Sequence, residues 1–318
     1  MSAAPGSLVA SRPVPASPLA LLLKSYRGDI DYARRLVASF EQHNPEKLPL
    51  FCVVPSEDID LFAPLASSTV TVLDESVFSP YFTSEEVHGI RPGYINQEIV
   101  KLAFWELELA ESYFCIDSDA VILRDLHEHD FLAPDGAPYT VLVEDNELKV
   151  EPRYFDQYWT SRELALRRIA ETVGLADPIL RTCHGHQVMS STVLASFVTE
   201  FLTPRGWTYV DALRVAPYEF SWYTFWLQAH ATIPIHAREP LVKVFHHEGQ
   251  HLEYILRGIT VEDISRGYVA AVVNSNYARD MGLISLDAGK PQALAPYLSY
   301  SELVHLILSK FHASLRRR

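Results

Sequence analysis

Tyr113-Phe114-Cys115-Ile116-Asp117-Ser118-Asp119 places two carboxylates directly after a short apolar run. Such a run is typical of a strand buried on both faces of a parallel sheet. The two aspartates would then lie at the carboxyl edge of the sheet, where open α/β folds bind their ligands. Carboxylates this close repel each other unless a cation lies between them. Hard oxygen ligands suit Mg²⁺ or Mn²⁺, which also hold phosphate oxygens, so the stretch predicts a metal–diphosphate site.

Strand and helix patterns alternate on both sides of this run. Three apolar segments, 19–24, 48–54 and 69–73, are predicted as strands, and a helix with one apolar face is predicted to begin near Asp29. This alternation indicates an α/β fold with a Rossmann-like, mostly parallel central sheet and helices on both faces. Further predicted elements are a helix over 93–110, a strand over 139–143, a helical insertion over 153–173, a strand and helix over 184–201, and strands over 241–245 and 268–273.

The predicted domain organisation has three parts. Residues 1–16 are rich in Ala, Ser and Pro and are expected to form a disordered leader. Residues 17–285 are expected to form a single α/β domain, followed by a helical tail over 286–318. The tail has an apolar side and ends in Arg316-Arg317-Arg318, which suits the negative end of a helix dipole. A weak contact with a membrane surface through this helix is the alternative.

Composition limits the classes of partner and compartment. The formal net charge of −13 over 318 residues argues against a nucleic-acid backbone as the main partner. Cys52, Cys115 and Cys183 show neither a disulfide framework nor zinc spacing, so a reducing compartment fits. No apolar stretch is long enough to cross a bilayer. We therefore expect a cytoplasmic protein, with a peripheral position at the inner membrane face as the alternative.

Several polar side chains are candidates to join the aspartates. Gln97 and Lys101 are four residues apart and share one face of the helix that leads into the apolar strand, so the lysine could bind a phosphate. Glu144 and Asp145 follow another predicted strand and are candidates for an acceptor contact or a base. His186, in His184-Gly185-His186-Gln187, is a candidate to bind an acceptor hydroxyl.

The order of these motifs resembles one known group of enzymes. Gly93-Tyr94-Ile95-Asn96-Gln97, then Lys101-Leu102, then Ile116-Asp117-Ser118-Asp119, is similar to an uncharacterised group of bacterial glycosyltransferases of the GT-A fold. The opening Leu22-Leu23-Lys24-Ser25-Tyr26-Arg27-Gly28-Asp29 resembles the first strand and nucleotide loop of that group. A late Gly267-Tyr268 strand leading to Ser275-Asn276-Tyr277 extends the resemblance, which covers residues 19–277 in patches.

The resemblance implies roles for the residues that bind the donor. Asp119 would bind a divalent metal on the diphosphate, and Asp117 would lie near the ribose or the metal's water shell. Tyr26 and Arg27 would approach the nucleotide. A histidine after a late strand would complete the metal shell. His246 is favoured over His247 for this position, because His246-x-x-Gly249 resembles an element of some GT-A families.

The segment Tyr218-Glu219-Phe220-Ser221-Trp222-Tyr223 departs from the resemblance. Related enzymes often have Ser-Glu-Tyr here, with the glutamate as the base of an inverting transfer, whereas this chain has tryptophan in that position. Glu219 is the candidate to replace that base. Trp222 could stack on a sugar face or pack in the core.

The sequence therefore predicts a metal-dependent glycosyltransferase that uses Mn²⁺ or Mg²⁺. It would move a sugar from a nucleoside-diphosphate sugar to a carbohydrate, lipid-linked or small-molecule acceptor. One alternative is a phosphatase or phosphotransferase of the haloacid dehalogenase type with Asp117 as nucleophile, for which Glu262-Asp263 is a poor substitute for the acidic loop. Another alternative is a non-catalytic module that binds sugar nucleotides.

Overall fold

The computed structural model describes residues 17–142, 152–176, 186–246 and 257–273, with separate positions at 250, 251, 254, 299–301, 304 and 308. The expected leader lies outside these residues. So do Glu144, Asp145, His184 and His247, as well as most of the expected tail.

Strands and helices alternate through the described residues. The strands are β1 (Ser17–Lys24), β2 (Leu50–Val54), β3 (Val70–Asp74), β4 (Ala110–Ile116), β5 (Ala120–Ile122), β6 (Tyr139–Val141), β7 (Val188–Ser190), β8 (His236–Arg238), β9 (Val242–Phe245) and β10 (Ala270–Val273). The α-helices are α1 (Ile30–Gln42), α2 (Ile59–Phe62), α3 (Pro92–Ala103), α4 (Glu128–Phe131), α5 (Pro152–Val173), α6 (Ser191–Ser196), α7 (Tyr209–Val215), α8 (Glu219–His230) and α9 (Val261–Ser265).

The central sheet has five strands in the order β3-β2-β1-β4-β7. The first four are parallel, and β7 runs antiparallel to β4 at one edge. The predicted α/β class with a mostly parallel central sheet is therefore confirmed. The antiparallel edge strand is a finding that the apolar pattern of residues 184–191 does not predict.

Alternating side chains of the central strands enter two separate cores. In β1, Leu19, Leu21 and Leu23 belong to the core that α1 covers, whereas Ala20 and Leu22 belong to the core that α3 and α8 cover. Successive side chains of a strand point to opposite faces, so an uninterrupted apolar strand requires helices on both faces. This arrangement fixes β1 and β4 in the middle of the molecule.

The helix predicted over 93–110 is shorter than expected. The α-helix ends at Ala103, and a 3₁₀ turn over Phe104–Leu107 follows. Glu108 then adopts a left-handed conformation with φ of 53°. The chain turns here because β4 begins at Ala110, which pairs with Ser17 of β1. Strand pairing therefore overrides the helical pattern.

A second sheet of three strands, in the order β5-β10-β9, continues from the Asp-Ser-Asp turn. Ala120 is level with Val272, and Val272 is level with Val244. Phe245, the last residue of β9, is level with Val273, and Asp119 immediately precedes β5. At the usual strand spacing, β9 and β5 are two strands or about 10 Å apart. The late strand thus brings His246 to the same edge as the two aspartates.

The two described cysteines and the described helices bear on the expected core and on the membrane. Cys52 and Cys115 are buried free thiols, as small core residues would be. Among the helices of the described residues, none combines the length and the apolar character needed to cross a bilayer.

Candidate functional site

Lys101 lies at the centre of the candidate site. Its Nζ is 3.1 Å from Oε1 of Glu219 and 3.5 Å from Oδ1 of Asp117, and the residue is 6% exposed. The last turn of α3 supplies the lysine, the first turn of α8 supplies Glu219, and Asp117 follows β4. Burial alone would lower the pKa of Lys101, but the charges of Asp117 and Glu219 raise it well above its usual value. Lys101 is therefore a fixed positive charge.

Asp117 is held between this lysine and a histidine. Its Oδ2 lies 3.5 Å from Nε2 of His186. Burial would raise the pKa of Asp117, but Lys101 and His186 together hold it below its ordinary value. The carboxylate is charged at neutral pH. Its side chain is 37% exposed and is therefore accessible to a ligand.

His186 is almost fully buried, at 3% exposure, and is positioned by its neighbour. The side-chain oxygen of Gln187 accepts a hydrogen bond from Val141 N, and its amide nitrogen donates to Val141 O. Neither ring nitrogen of His186 makes a hydrogen bond within the described residues. Burial lowers the pKa of His186, so the ring is neutral at pH 7. Nε2 of His186 therefore faces the carboxylate of Asp117 from inside the fold.

The Asp-Ser-Asp turn is joined to the loop after β1. The hydroxyl oxygens of Ser118 and Ser25 are 3.2 Å apart, and Ala120 N donates to Asp117 O. Burial raises the pKa of Asp29, the nearby charge of Asp117 raises it further, and a hydrogen bond with Ser118 opposes the shift. The carboxyl edges of two adjacent strands are therefore one connected surface.

Tyr26 and Arg27 occupy this first loop in different ways. Arg27 donates from its backbone N and from Nε to the carboxylate of Asp58, both at 2.7 Å, and Asp58 is 2% exposed. Arg27 thereby anchors the loop. A Cβ at Gly28 would lie 2.5 Å from the ring of Tyr26, which shows that this ring covers the glycine. Tyr26 is 42% exposed, so part of its side chain remains accessible.

The motif-based prediction missed two residues of α3 that join the cluster. Glu98 is 2% exposed, and its Oε2 is buried without a hydrogen bond. Burial and the charge of Glu219 raise the pKa of Glu98 well above its usual value. Burial and the charges of Glu219 and Glu98 raise the pKa of Tyr94 to about 12. Helical spacing could have found both, because Glu98 and Tyr94 lie three and seven residues before Lys101 on the same helix. Gln97 shares that helix and is half-buried.

Trp222 corrects one prediction. It is 0% exposed, donates from Nε1 to Ala216 O at 2.9 Å and packs against Phe197 and Phe201. A ring enclosed in this way cannot stack on a sugar, so we assign Trp222 to the core. Glu219 begins the same helix and is 7% exposed. Because Lys101 contacts Oε1 of Glu219, a role as base would fall to Oε2.

The predicted metal ligands fit a divalent cation in part. Asp119 and His246 are both half-buried at the carboxyl edge. Among the described residues, however, Asp117, Asp119 and His246 do not form a group whose ligand atoms lie within 4.8 Å of one another. Mg²⁺ commonly takes one or two carboxylates and completes its shell with water and substrate phosphates. The two aspartates suit that mode of binding, in which the diphosphate brings the remaining oxygens.

Glu262 and Asp263, the acidic pair considered for the phosphatase alternative, form contacts within α9 and at its start. Asp263 accepts hydrogen bonds from Thr260 N and Oγ1 and thus caps α9. Glu262 is exposed and pairs with Arg266. Neither residue is engaged with Asp117, so the described residues give this alternative no support.

Comparisons with solved structures find glycosyltransferases. The chain is similar to mouse xyloside xylosyltransferase 1 in its apo form, with 14% identity over 83% of this chain and 99% of that chain, at a TM-score of 0.48. It is also similar to the apo structure of the bifunctional glycosyltransferase WbbM, with 13% identity over 84% of this chain, at 0.48. An active-site mutant of LgtC has 10% identity over 88% of this chain and 96% of that chain, again at 0.48.

The chain spans 48% of the length of WbbM. TM-scores below 0.5 at such identities do not by themselves establish a shared activity, and the architecture follows from the strand order described above. No curated protein matches the chain.

A family model gives a more extensive match. It covers residues 16–254, which is well over half of the chain and includes the central sheet and the site around Lys101. Its description is a family of unknown function, so it assigns no activity. The chain belongs to the DUF6492 family.

Proposed function

We propose that this protein is a metal-dependent glycosyltransferase that uses a nucleoside-diphosphate sugar. The observation that carries the proposal is the group of carboxylates at the carboxyl edge. Asp117 and Asp119 follow β4, and Glu219 approaches the same place from α8. The ammonium group of Lys101 contacts both Asp117 and Glu219. Oxygen ligands grouped in this way favour a divalent cation, which would carry a diphosphate to the site.

The first loop supports a nucleotide as the donor. The exposed face of Tyr26 offers a surface for a base, because aromatic rings stack on bases without sequence preference. Arg27 keeps the loop in place through Asp58 and through a hydrogen bond from Nη2 to Glu57 O, and Nη1, on a side chain that is 61% exposed, would contact a phosphate. The link from Ser25 to Ser118 connects this surface to the aspartates. A nucleoside diphosphate would extend from Tyr26 to Asp119.

The cation would be held by Asp117 and Asp119, with His246 completing the shell. When bound, Mn²⁺ or Mg²⁺ would neutralise the charge that develops on the departing diphosphate. Lys101 and Gln97 are four residues apart on α3, so Gln97 would also face this group. Lys101 keeps Asp117 charged and oriented, which is a positioning role.

The acceptor would enter from the side of α8 and His186. In the transfer, the bond from the anomeric carbon to the diphosphate oxygen breaks, and the nucleoside diphosphate leaves with the electron pair. A bond from the acceptor oxygen to the anomeric carbon forms, and the acceptor proton passes to a base, for which we propose Glu219. For the neutral ring of His186 to hydrogen-bond a substrate hydroxyl, the buried ring would have to turn outward. A carbohydrate or lipid-linked acceptor and a cytoplasmic location remain part of this proposal.

A thermal-shift screen tests the donor class. Nucleoside diphosphates and sugar nucleotides are added with and without Mn²⁺, since a ligand of the native state raises the melting temperature. We expect at least one nucleoside diphosphate to stabilise the protein only when Mn²⁺ is present. Release of free sugar from a stabilising sugar nucleotide would then establish catalysis. Binding without hydrolysis or transfer to any acceptor of a broad panel would instead support a non-catalytic binding module.

A further inference from the structure

A second group of metal-ligating side chains lies on the opposite edge of the central sheet. Glu46, His127 and His129 each offer one ligand atom, and these atoms lie within 4.8 Å of one another. Helix α1 runs from the end of β1 back to the start of β2, so the loop after α1 reaches the amino edge of the sheet. The candidate donor site lies at the carboxyl edge. The two sites are therefore separated by the length of the strands.

The group is built from two backbone segments that are fixed to each other. The loop that carries Glu46 is closed by the side chain of Asn44, which bonds both N and O of Leu48. The segment before α4 is attached to α1 by a hydrogen bond from Leu126 N to His43 O at 2.9 Å. These contacts are independent of the three ligand side chains. The ligands are thus held close without a metal.

The side chains of Glu46 and His127 already contact each other, and the His127 side chain also caps α4 by accepting a hydrogen bond from Asp130 N. Oε1 of Glu46 is 2.8 Å from Nδ1 of His127, and Oε2 accepts a hydrogen bond from Glu128 N at 2.8 Å. The rings of His127 and His129 are stacked, with centroids 5.1 Å apart and planes 11° apart. All three residues are accessible, with Glu46 and His129 exposed and His127 half-buried. An ion from solution can therefore reach them.

We propose that Glu46, His127 and His129 form a zinc site separate from the donor site. Two imidazoles and a carboxylate are a set that Zn²⁺ binds well, whereas the oxygen ligands at the carboxyl edge suit Mg²⁺ or Mn²⁺. Ligand atoms in a tetrahedral zinc site are about 3.4 Å apart. Glu46 Oε1 and His127 Nδ1, now 2.8 Å apart, would separate slightly to admit the ion, and the ligand atom of His129 already lies within 4.8 Å of both. Water would fill the remaining position.

Zinc at this site would connect the α1–β2 loop to the segment that enters α4. Binding to the folded state alone would raise the melting temperature in proportion to the logarithm of the zinc concentration. The site needs no donor, acceptor or turnover. Its test is consequently independent of the proposed transferase activity.

Zinc binding to the untagged, chelator-treated full chain tests the proposal. We expect one Zn²⁺ per chain by equilibrium dialysis and a higher melting temperature. His129→Gln leaves the contact between Glu46 and His127 intact and should weaken zinc binding by at least about tenfold. His43→Gln is the matched control. It removes a neighbouring histidine that contacts Asp125, and it should leave zinc affinity unchanged.

Two outcomes would overturn the proposal. One is equal zinc affinity in the wild type and His129→Gln, when circular dichroism shows that the variant is folded. The other is loss of zinc binding in Asp119→Asn, which would place the ion at the carboxyl edge. Retained zinc binding in Asp119→Asn together with its loss in His129→Gln would support the separate site.

Discussion

The ammonium group of Lys101 lies 3.1 Å from Oε1 of Glu219 and joins the end of α3 to the start of α8. The same nitrogen is 3.5 Å from Asp117. These two ion pairs hold α3, α8 and the turn after β4 together at the candidate site. A change in the charge of any of the three side chains should therefore alter the stability of the fold as well as the site.

Removal of this lysine should destabilise the protein strongly. Lys101→Met leaves Glu219 buried without its cation, and breaking a buried pair from one side typically costs about 3–5 kcal/mol. Urea unfolding of Lys101→Met, Glu219→Gln and the double variant gives the coupling between the two residues. We expect the double variant to be clearly more stable than the sum of the single effects predicts. Simple additivity would show that the two charges do not interact appreciably.

Glu219→Gln should separate a catalytic role from a positioning role. The amide oxygen can still accept a hydrogen bond from Lys101, but the side chain can no longer take a proton. Loss of a general base reduces turnover by about 10²–10⁴-fold. We expect kcat to fall by that amount, with little change in the KM for the donor. A kcat within about tenfold of the wild type would mean that Glu219 only positions Lys101.

Gly28→Ala should displace the ring of Tyr26 and weaken nucleotide binding. The added methyl group would lie 2.5 Å from the ring, so the ring must move. Loss of stacking on a base costs about 1–3 kcal/mol, or roughly 5- to 150-fold in affinity. Calorimetric titration with the best nucleoside diphosphate from the screen measures this effect. Tyr26→Phe keeps the ring and should bind normally, whereas wild-type affinity in Gly28→Ala would mean that the ring does not contact the base.

Glu98 should make stability depend on pH in a specific direction. Its folded pKa is well above the ordinary value of 4.5, so the folded state favours the protonated form. Below pH 4.5 the Glu98 carboxyl group is protonated in both the folded and the unfolded state, so it does not lower the free energy of unfolding. As the pH rises above 4.5, the unfolded chain releases this proton first, and stability falls by up to about 1.4 kcal/mol per pH unit until the folded pKa is reached.

Glu98→Gln removes this titration while keeping the size of the side chain. We expect the variant to be more stable than the wild type at pH 7.5, with a difference that shrinks toward zero by pH 4. Denaturant unfolding at a series of pH values measures it. Carboxyl groups other than Glu98 are common to both proteins, so their contributions cancel in the difference between the two free energies of unfolding. A difference that stays constant across this pH range would contradict the predicted rise in the pKa of Glu98.

The sequence predicted the central sheet because its strands are apolar without interruption. Residues 19–24 and 113–116 could satisfy that pattern only between two layers of helices, which the two cores confirm. The placement of Asp117 and Asp119 at the carboxyl edge follows from the same pattern. The proximity of Lys101 to Asp117 could also be predicted from the sequence, since the helix that carries the lysine leads directly into the strand that ends in the aspartate.

Other features depend on tertiary contacts that periodicity does not encode. The helix beginning at Gly93 was expected to continue to Ala110, but pairing between Ala110 and Ser17 ends it early. The apolar character of Trp222 fits a sugar platform as well as a core, and only its burial against Phe197 decides between them. Glu98 was overlooked because a glutamate on a helix is usually solvated. Its burial results from the packing of α3 against α8.

Metal-dependent donor binding is tested most directly by the melting temperature of the wild type and Asp119→Asn with a panel of nucleoside diphosphates, each with and without Mn²⁺. We expect at least one nucleoside diphosphate to stabilise the wild type beyond the effect of Mn²⁺ alone, and Asp119→Asn to remain folded and lose this increment. An equal increment in Asp119→Asn, or no increment in the wild type with any nucleoside diphosphate, would contradict a donor site in which Asp119 holds the cation.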